Sequence, residues 1–585
     1  MCGILGCTKA TVDQISAAAK TIDYRGPDFY GHFCDDEICL GHQRLSIIDL
    51  DPRSNQPMQD ASENFTIVFN GEIYNYKKLK QDLRDIGLVF KTESDTEVVL
   101  NSYKHSGVDS IKNLQGMFAI GLYDKKNQKI VLARDHAGIK PLYYYNDNEF
   151  FAFASEIKSL VNLLRQKNVK IEIDQQSLLQ FLVFGYIPNP NSLVRGIKKL
   201  PKSCYAEYDL TTKKLSIHNF EPKYKQVNNL EQFQDLIEEK VLDHLIADVP
   251  VGVFFSGGTD SSLIASILHK HNIKLKTFSI DLGNRDDKYY FEKINDFLNL
   301  DSRVYQFGKD EMNFAYHIVS SKIDEPTYDS SIYPTAYLSH MAAKEVKVVL
   351  SGEGGDEYFW GYHRHPALNT MKFKKERLAG LIFKTIKIFP IKKRRPILVK
   401  LGKLFKCPWL YYLASMSPSV EYLDYKNLMQ VVKEVEGQAQ SPVYLDRDLY
   451  LENDLLRKID LATSYASIEG RVPLLDIDII KNSESYKNKH LENSELKSLL
   501  KTVLTSYLPK ELVYRKKSGF GLKGDAISAC PELIEEAKSG LAYFNKQGLL
   551  PELNIDELMK YNPALIYASA SMRSSLKNLG LLSSD

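Results

Sequence analysis

Residues 256–262 read SGGTDSS and lie between an apolar run, VGVFF (251–255), and an apolar helical pattern, SLIASILHK (262–270). A glycine-rich loop between a strand and a helix turns backbone N–H groups into one concavity, and the helix N-terminus adds the positive end of its dipole. Ser256, Ser261 and Ser262 add hydroxyl donors, while Gly257 and Gly258 allow close approach. That combination suits phosphate. Asp260 repels a bare anion, so its presence points to Mg²⁺ shared between the carboxylate and phosphates. The Walker pattern GxxxxGK[ST] is absent. A flexible serine–glycine linker would not be wedged between two apolar elements. A second loop, SGEGGDE (351–357), also follows an apolar run and brings Glu353, Asp356 and Glu357. Loops at the carboxyl ends of parallel strands converge on one crevice. Asp260 and Asp356 are therefore the expected metal ligands.

At the start of the chain, MCGI (1–4) places a cysteine second. Removal of Met1 would leave Cys2 with a free α-amine, whose ordinary pKa of about 7.7–8.0 lies just below the thiol's ~8.5. Such an amine accepts the thiol proton near neutral pH without a histidine partner. Alone, a second-position cysteine carries no weight.

The elements that must hold these residues fall into two textures. Up to about residue 155, strand patterns recur: FTIVF (65–69), MFAIGLY (117–123), KIVLAR (129–134) and EFFAFAS (149–155). After about residue 225, VGVFF, LKTFSI (275–280) and VKVVLSG (346–352) alternate with helical patterns, which argues for a mostly parallel sheet covered on both faces. From about residue 405 onward the chain reads as helical. The polar stretch 206–226 is the expected connection, giving a first domain over 1–210 and a second over 227–585.

The 585 residues favour two to four domains. Hydrophobic residues make up 44% and charged residues 26%, and a formal net charge of +2 gives no whole-chain case for nucleic acid. The seven cysteines are odd in number and scattered, without CxxC or Cys/His ligand spacing, which argues against a disulfide framework or structural zinc. No basic n-region with an apolar h-region opens the chain and no apolar run is long enough to span a bilayer, so a reducing, cytoplasmic location is expected.

SGGTDSS resembles the pyrophosphate loop of N-type ATP pyrophosphatases, which adenylate an acid. MCGI, RGPD (25–28), GHQRLSIID (41–49), FNGEIYNY (69–76), SDTEV (94–98), LQGMFA (114–119) and RDHAGIKPLYY (134–144) occur in that order. Together they resemble the glutaminase domain of class II amidotransferases. Over residues 1 to about 522 the chain resembles the glutamine-hydrolysing asparagine synthetase family. The resemblance implies an α+β N-terminal-nucleophile hydrolase sandwich, two sheets between helices. An α/β parallel-sheet ATP pyrophosphatase domain with a helical C-terminal part would follow. It implies that Cys2 attacks the glutamine amide, that Asn70 and Gly71 stabilise the oxyanion, and that Arg44 takes the α-carboxylate. Leu45, Ser46, Ile47 and Ile48 would line the glutamine, and Glu72 and Asp95 would hold its α-ammonium. ATP would contact Phe255, Ser256, Gly257, Gly258, Asp260, Ser261, Ser262, Ile280, Ser351 and Gly352. Glu353 would face the acid substrate. Lys497, within LKSLLK (496–501), would meet pyrophosphate or the activated intermediate. SIEGRVPLLD (467–476) and RKKSGFG (515–521) match further family blocks. ATP is the expected co-substrate with Mg²⁺; glutamine and aspartate, or another carboxylic acid such as a sugar uronate, are the expected partners. A homodimer is one assembly open to the chain.

Two stretches depart from the pattern. DEPTYDSSIYPT (324–335) lacks the arginine that the family's best-known members carry there to hold aspartate, so the cation for the acceptor carboxylate must come from elsewhere. IDLGNRDDKYYFEK (280–293) lacks the family's acidic spacing. Residues 371–407 stand apart in charge, with thirteen Lys or Arg against one acid, Glu376. That local +12 leaves −10 for the remainder, 2 − 12. Interleaved Leu, Ile and Phe make the stretch amphipathic. It is expected either to pack its apolar face on its own domain or to touch an anionic membrane surface; in the latter case the chain could be a nucleotide-binding scaffold without catalysis.

Overall fold

The computed structural model describes the chain except residues 148, 284, 373–375, 387, 436, 490–494, 516–521, 523–526, 528–529 and 583–585. Most of the RKKSGFG block and part of 280–293 and 371–407 therefore lie outside the described residues.

Seventeen described strands form three sheets. The first runs β10 (Ile197–Lys199), β8 (Tyr143–Asn146), β9 (Phe151–Ala154), β1 (Gly3–Thr8), β3 (Ile38–Arg44) and β2 (Phe29–Cys34), all antiparallel. The second runs β12 (Leu215–Asn219), β11 (Cys204–Asp209), β7 (Lys129–Arg134), β6 (Gly116–Asp124), β5 (Phe65–Ile73) and β4 (Met58–Gln59), also antiparallel. Both faces of β1, β3, β5, β6, β7 and β9 are buried, which is why they read as near-continuous apolar runs, whereas the edge strands β2 and β12 are largely open to solvent. Ile4, Leu40 and Phe153 of the first sheet meet Val68, Ala119, Leu132 and Ala206 of the second in one core. The fit is tight: a Cβ on Gly6 or Gly121 would stand 2.4 Å from the Phe153 ring. The helices Val12–Lys20 and Ile157–Gln166 cover the first sheet, and Asp95–Ser106 covers the second. This is the sandwich that the motifs imply.

The third sheet is parallel, in the order β15 (Asp301–Gln306), β14 (Lys276–Asp281), β13 (Val251–Phe254), β16 (Val348–Leu350) and β17 (Glu469–Arg471). Both phosphate-type loops leave the carboxyl ends of adjacent strands, β13 and β16. Beyond β16 the described chain is helical apart from β17.

Two expectations need correction. The polar stretch 206–226 is not simply a connection, because most of β11 and all of β12 lie inside it and complete the edge of the second sheet. Alternation in YAEYDL is masked there by the lysines and threonines of the turn. Among the cysteines, Cys34 and Cys39 form a disulfide across the β2–β3 hairpin, where they sit directly opposite in register. Spacing alone does not reveal that pair, because it depends on the hairpin's register. The other five cysteines are free. No helix among the described residues is long and apolar enough to cross a membrane.

Candidate active sites

Cys2 stands at the entry to β1, and its backbone N–H donates to Asn70 Oδ1 at 3.0 Å. Its Sγ lies 3.8 Å from the Leu45 carbonyl, and burial pushes the thiol up. Asn70 and Glu72 alternate on one face of β5, so one strand presents both to the same space. Asn70 Nδ2 is buried and has no hydrogen-bond partner in the protein. An orphaned amide donor beside a nucleophile is costly to the fold and is the feature an oxyanion requires. Gly71 is equally constrained, since a Cβ would fall 2.1 Å from the Met117 carbonyl oxygen.

Glu72 Oε1 is also buried without a partner, while Oε2 accepts from Arg471 Nη2 at 2.7 Å. Asp95 opens the helix Asp95–Ser106 and accepts from the Ile73 N–H at 3.1 Å; burial raises its carboxyl to about 6. Arg44 is placed at the end of β3 in the same region, but both Nη atoms donate to the loop carbonyls of Ile48, Asp49 and Asp51 and to Asn55 Oδ1. In this state the arginine braces that loop. Leu45, Ile47 and Ile48 are buried, and the Ser46 N–H donates to Asp28 of the RGPD motif at 2.8 Å.

In the second site, the loop after β13 is cross-braced by hydroxyls. Ser261 Oγ accepts from Ser256 N at 3.2 Å and lies 3.1 Å from Ser256 Oγ. Ser262 Oγ is buried and unpartnered. Gly257 takes a φ of +70°, which the turn requires. The two loops do converge: a Cβ on Gly352 would stand 2.7 Å from Asp260 Cβ, and one on Gly355 would collide with the Asp260 carboxylate. Asp260 and Asp356 meet at one point, and that point is the Lys497 ammonium, 2.9 Å from Asp356 Oδ1 and hydrogen-bonded to Asp260 Oδ2. The paired acids raise the lysine's pKa against the opposing effect of burial. Phe255 is buried and donates to the Phe278 carbonyl, Ile280 is half-buried at the end of β14, and Ser351 N donates to Arg471 O at 2.8 Å. Among the described residues, no cluster of three or more His, Cys, Asp or Glu forms a ready metal cage.

Another element brings a cation up to the 324–335 segment. Lys458, on the helix Leu456–Ser464, lies 2.9 Å from Glu353 and 3.8 Å from Asp329, and its side chain is only 7% exposed. The wide-turned π-helix Asp446–Leu455 precedes it and brings in Asp454. Burial, then Asp329, lifts the Asp454 carboxyl to about 8; Oδ1 accepts from Thr327 Oγ1 at 2.8 Å and Oδ2 is buried without a partner. A lone lysine in LRKIDLATS reads as solvated, so sequence reasoning passed over it.

It also passed over the buried arginines that join the two halves. Arg25 Nε donates to the Cys2 carbonyl at 3.0 Å, Nη1 pairs with Glu156 at 2.9 Å and Nη2 with Asp460 at 3.0 Å. Arg471 pairs with Glu469 at 2.8 Å as well as with Glu72. Both arginines are fully buried.

A family model described as "Glutamine amidotransferase domain" matches residues 1–221, and one described as "Asparagine synthase" matches residues 232–574. Asparagine synthetase (glutamine-hydrolyzing) 1 of Bacillus subtilis (strain 168) is 31% identical over 589 residues, covering 94% of this chain and 92% of the relative. Asparagine synthetase B (glutamine-hydrolyzing) of Escherichia coli (strain K12) is 29% identical over 409 residues, covering 65% of this chain and 68% of the relative.

Proposed function

The chain belongs to the glutamine-hydrolysing asparagine synthetase family, and from that premise we propose that it amidates aspartate at the expense of ATP, with glutamine as the ammonia source. The ligase class, glutamine-dependent and forming AMP, follows from the family. The acceptor is the finer claim. The observation that carries it is the set of charged groups around Lys458. One cation stands among Glu353, Asp329 and Asp454. An amino acid offers a carboxylate to the lysine and an ammonium to the acids. A uronate has the carboxylate and neutral hydroxyls but no cation to offset the acids, and meets net repulsion.

In the first site, removal of Met1 would turn the Cys2 nitrogen into an amine already aligned by Asn70 Oδ1. That amine takes the thiol proton, the sulfur attacks the glutamine amide carbon, and Asn70 Nδ2 with the Gly71 N–H receive the oxyanion. On collapse the amine returns its proton to the leaving nitrogen, ammonia departs and a γ-glutamyl thioester remains, which water hydrolyses to glutamate and the free thiol. Glu72 Oε1 and Asp95 hold the substrate's ammonium, and Arg44 would have to give up part of its loop bracing to reach the α-carboxylate.

In the second site the acceptor carboxylate attacks the α-phosphorus of ATP, pyrophosphate leaves, and ammonia displaces AMP from the acyl-adenylate. The SGGTDSS loop would hold the pyrophosphate end, with Phe255 and Ile280 against the adenine. Asp260 and Asp356, two carboxylates already converging on one cation, fit Mg²⁺ accompanying ATP, which supplies charge neutralisation on the phosphates. Lys497 would then transfer its ammonium from the acids to the departing pyrophosphate.

The test is AMP and amide formation with glutamine, ATP and Mg²⁺, supplying aspartate, glucuronate or galacturonate in turn. Aspartate-dependent AMP and asparagine are expected. AMP that depends on a uronate and ignores aspartate would overturn the acceptor while leaving the ligase class standing. Intact-mass analysis should show Met1 absent.

A further inference from the structure

The basic stretch singled out by its charge folds into the helices Glu376–Ile386 and Ile391–Leu404. Its inner side is anchored. Ile382, Phe383, Ile386 and Leu398 are buried, Arg395 Nε pairs with Glu421 at 3.1 Å, and Arg394 Nη1 donates to the Glu421 carbonyl. A Cβ on Gly402 would stand 2.8 Å from the Tyr411 nitrogen, so the second helix lies tight against Pro408–Met416. Packing on its own domain thus accounts for one face.

It does not account for the other. Lys393, Pro396, Lys400 and Lys403 are exposed and recur at helical spacing, so they share one outward stripe. Large apolar side chains flank the stripe at both ends: Ile388 is 83% exposed before the helix, and Leu404 is 70% exposed at its close. Phe389, Phe405 and Leu381 are exposed as well. Lys384 and Lys406 add two more exposed cations, and no carboxylate among the described residues pairs with any of these five lysines. Cations alone would suit any polyanion. Cations interleaved with protruding aliphatic and aromatic groups suit a surface that is anionic outside and hydrocarbon just beneath.

We infer that the outward face of residues 388–406 is a docking surface for an anionic lipid bilayer, with Lys393, Lys400, Lys403 and Lys406 at the headgroups and Ile388, Phe389, Leu404 and Phe405 entering the interface. Charge complementarity fixes the orientation, since the chain outside 371–407 carries −10 and is repelled by the same membrane. Each lysine near such a surface contributes roughly a fivefold gain in partitioning at low salt, lost as salt screens it. The docking is reversible, because neither helix spans the bilayer.

Co-sedimentation of the full chain with vesicles tests this. Wild type is expected to bind vesicles of phosphatidylcholine with about a third phosphatidylglycerol at low salt, to ignore pure phosphatidylcholine, and to be released by ~0.5 M salt. The triple variant K393E/K400E/K403E and the double variant I388S/L404S should each lower partitioning at least about tenfold. Both should retain wild-type glutamine-dependent AMP formation, which certifies the fold of both domains. Failure of catalytically active wild type to bind anionic vesicles overturns the inference. So does vesicle binding unchanged in I388S/L404S, or retention on nucleic acid or an acidic protein that exceeds binding to vesicles; those results mark a general polyanion site instead.

Discussion

The two candidate sites solve opposite problems of charge. Around Cys2, the groups facing the substrate are orphaned: Asn70 Nδ2 and Glu72 Oε1 are buried with nothing to bond. Around SGGTDSS and SGEGGDE the lysines are already paired, with Lys497 clasped by Asp260 and Asp356 and Lys458 by Glu353. The first arrangement stores unmet hydrogen bonds for a single small zwitterion, with Arg44 the one group that must leave present partners. The second holds more charge than a protein can leave unpaired, so it neutralises itself until a polyanionic substrate displaces its internal partners.

The largest effect should come from Cys2→Ala. Glutamine-dependent amide formation is expected to fall by roughly 10⁴-fold or more, with ammonia-dependent synthesis retained. Equal loss of both activities would remove the division into two sites. Lys497→Met should slow AMP formation by about 10²–10³-fold, the usual effect of deleting one preorganised electrostatic contact. Glutamine hydrolysis should be untouched. If adding Mg²⁺ instead restores full AMP formation, the lysine serves only as a placeholder for the metal. Asn70→Ala should lower kcat for glutamine hydrolysis by about 10²-fold with a smaller change in KM. A change in KM alone would mean that Nδ2 binds ground-state substrate.

The smallest effect is on pH dependence. Burial raises the Asp95 carboxyl from 3.8 to about 6, so the folded protein holds this proton more tightly than the unfolded chain. Its ionisation therefore costs stability as pH rises between those two values, and Asp95→Asn should remove that loss. Glutamine's ammonium needs the ionised form, so KM for glutamine should rise about tenfold per pH unit below 6. A flat KM over that range would take Asp95 out of the binding site.

Legibility followed locality. Strand patterns and both loops could be read because they depend on neighbours in sequence. The convergence of Asp260 with Asp356 could be anticipated because parallel strands force it. Lys458, Arg25 and Arg471 could not, because their partners lie across the fold: Glu353 is 105 residues from Lys458, and Glu72 is 399 residues from Arg471. The β11–β12 hairpin was missed because its outer strand is largely exposed and polar, and the Cys34–Cys39 pair because only the register joins it.

Arg471 has one further consequence. Its carbonyl accepts from Ser351 at the start of the SGEGGDE loop, and its guanidinium holds Glu72 beside Asn70 in the Cys2 site. One residue thus touches both candidate sites. If nucleotide binding shifts that residue, and so changes affinity for glutamine by some factor, glutamine must change affinity for nucleotide by the same factor. Reciprocity of this kind needs no moving domain; a single buried side chain is enough to carry it.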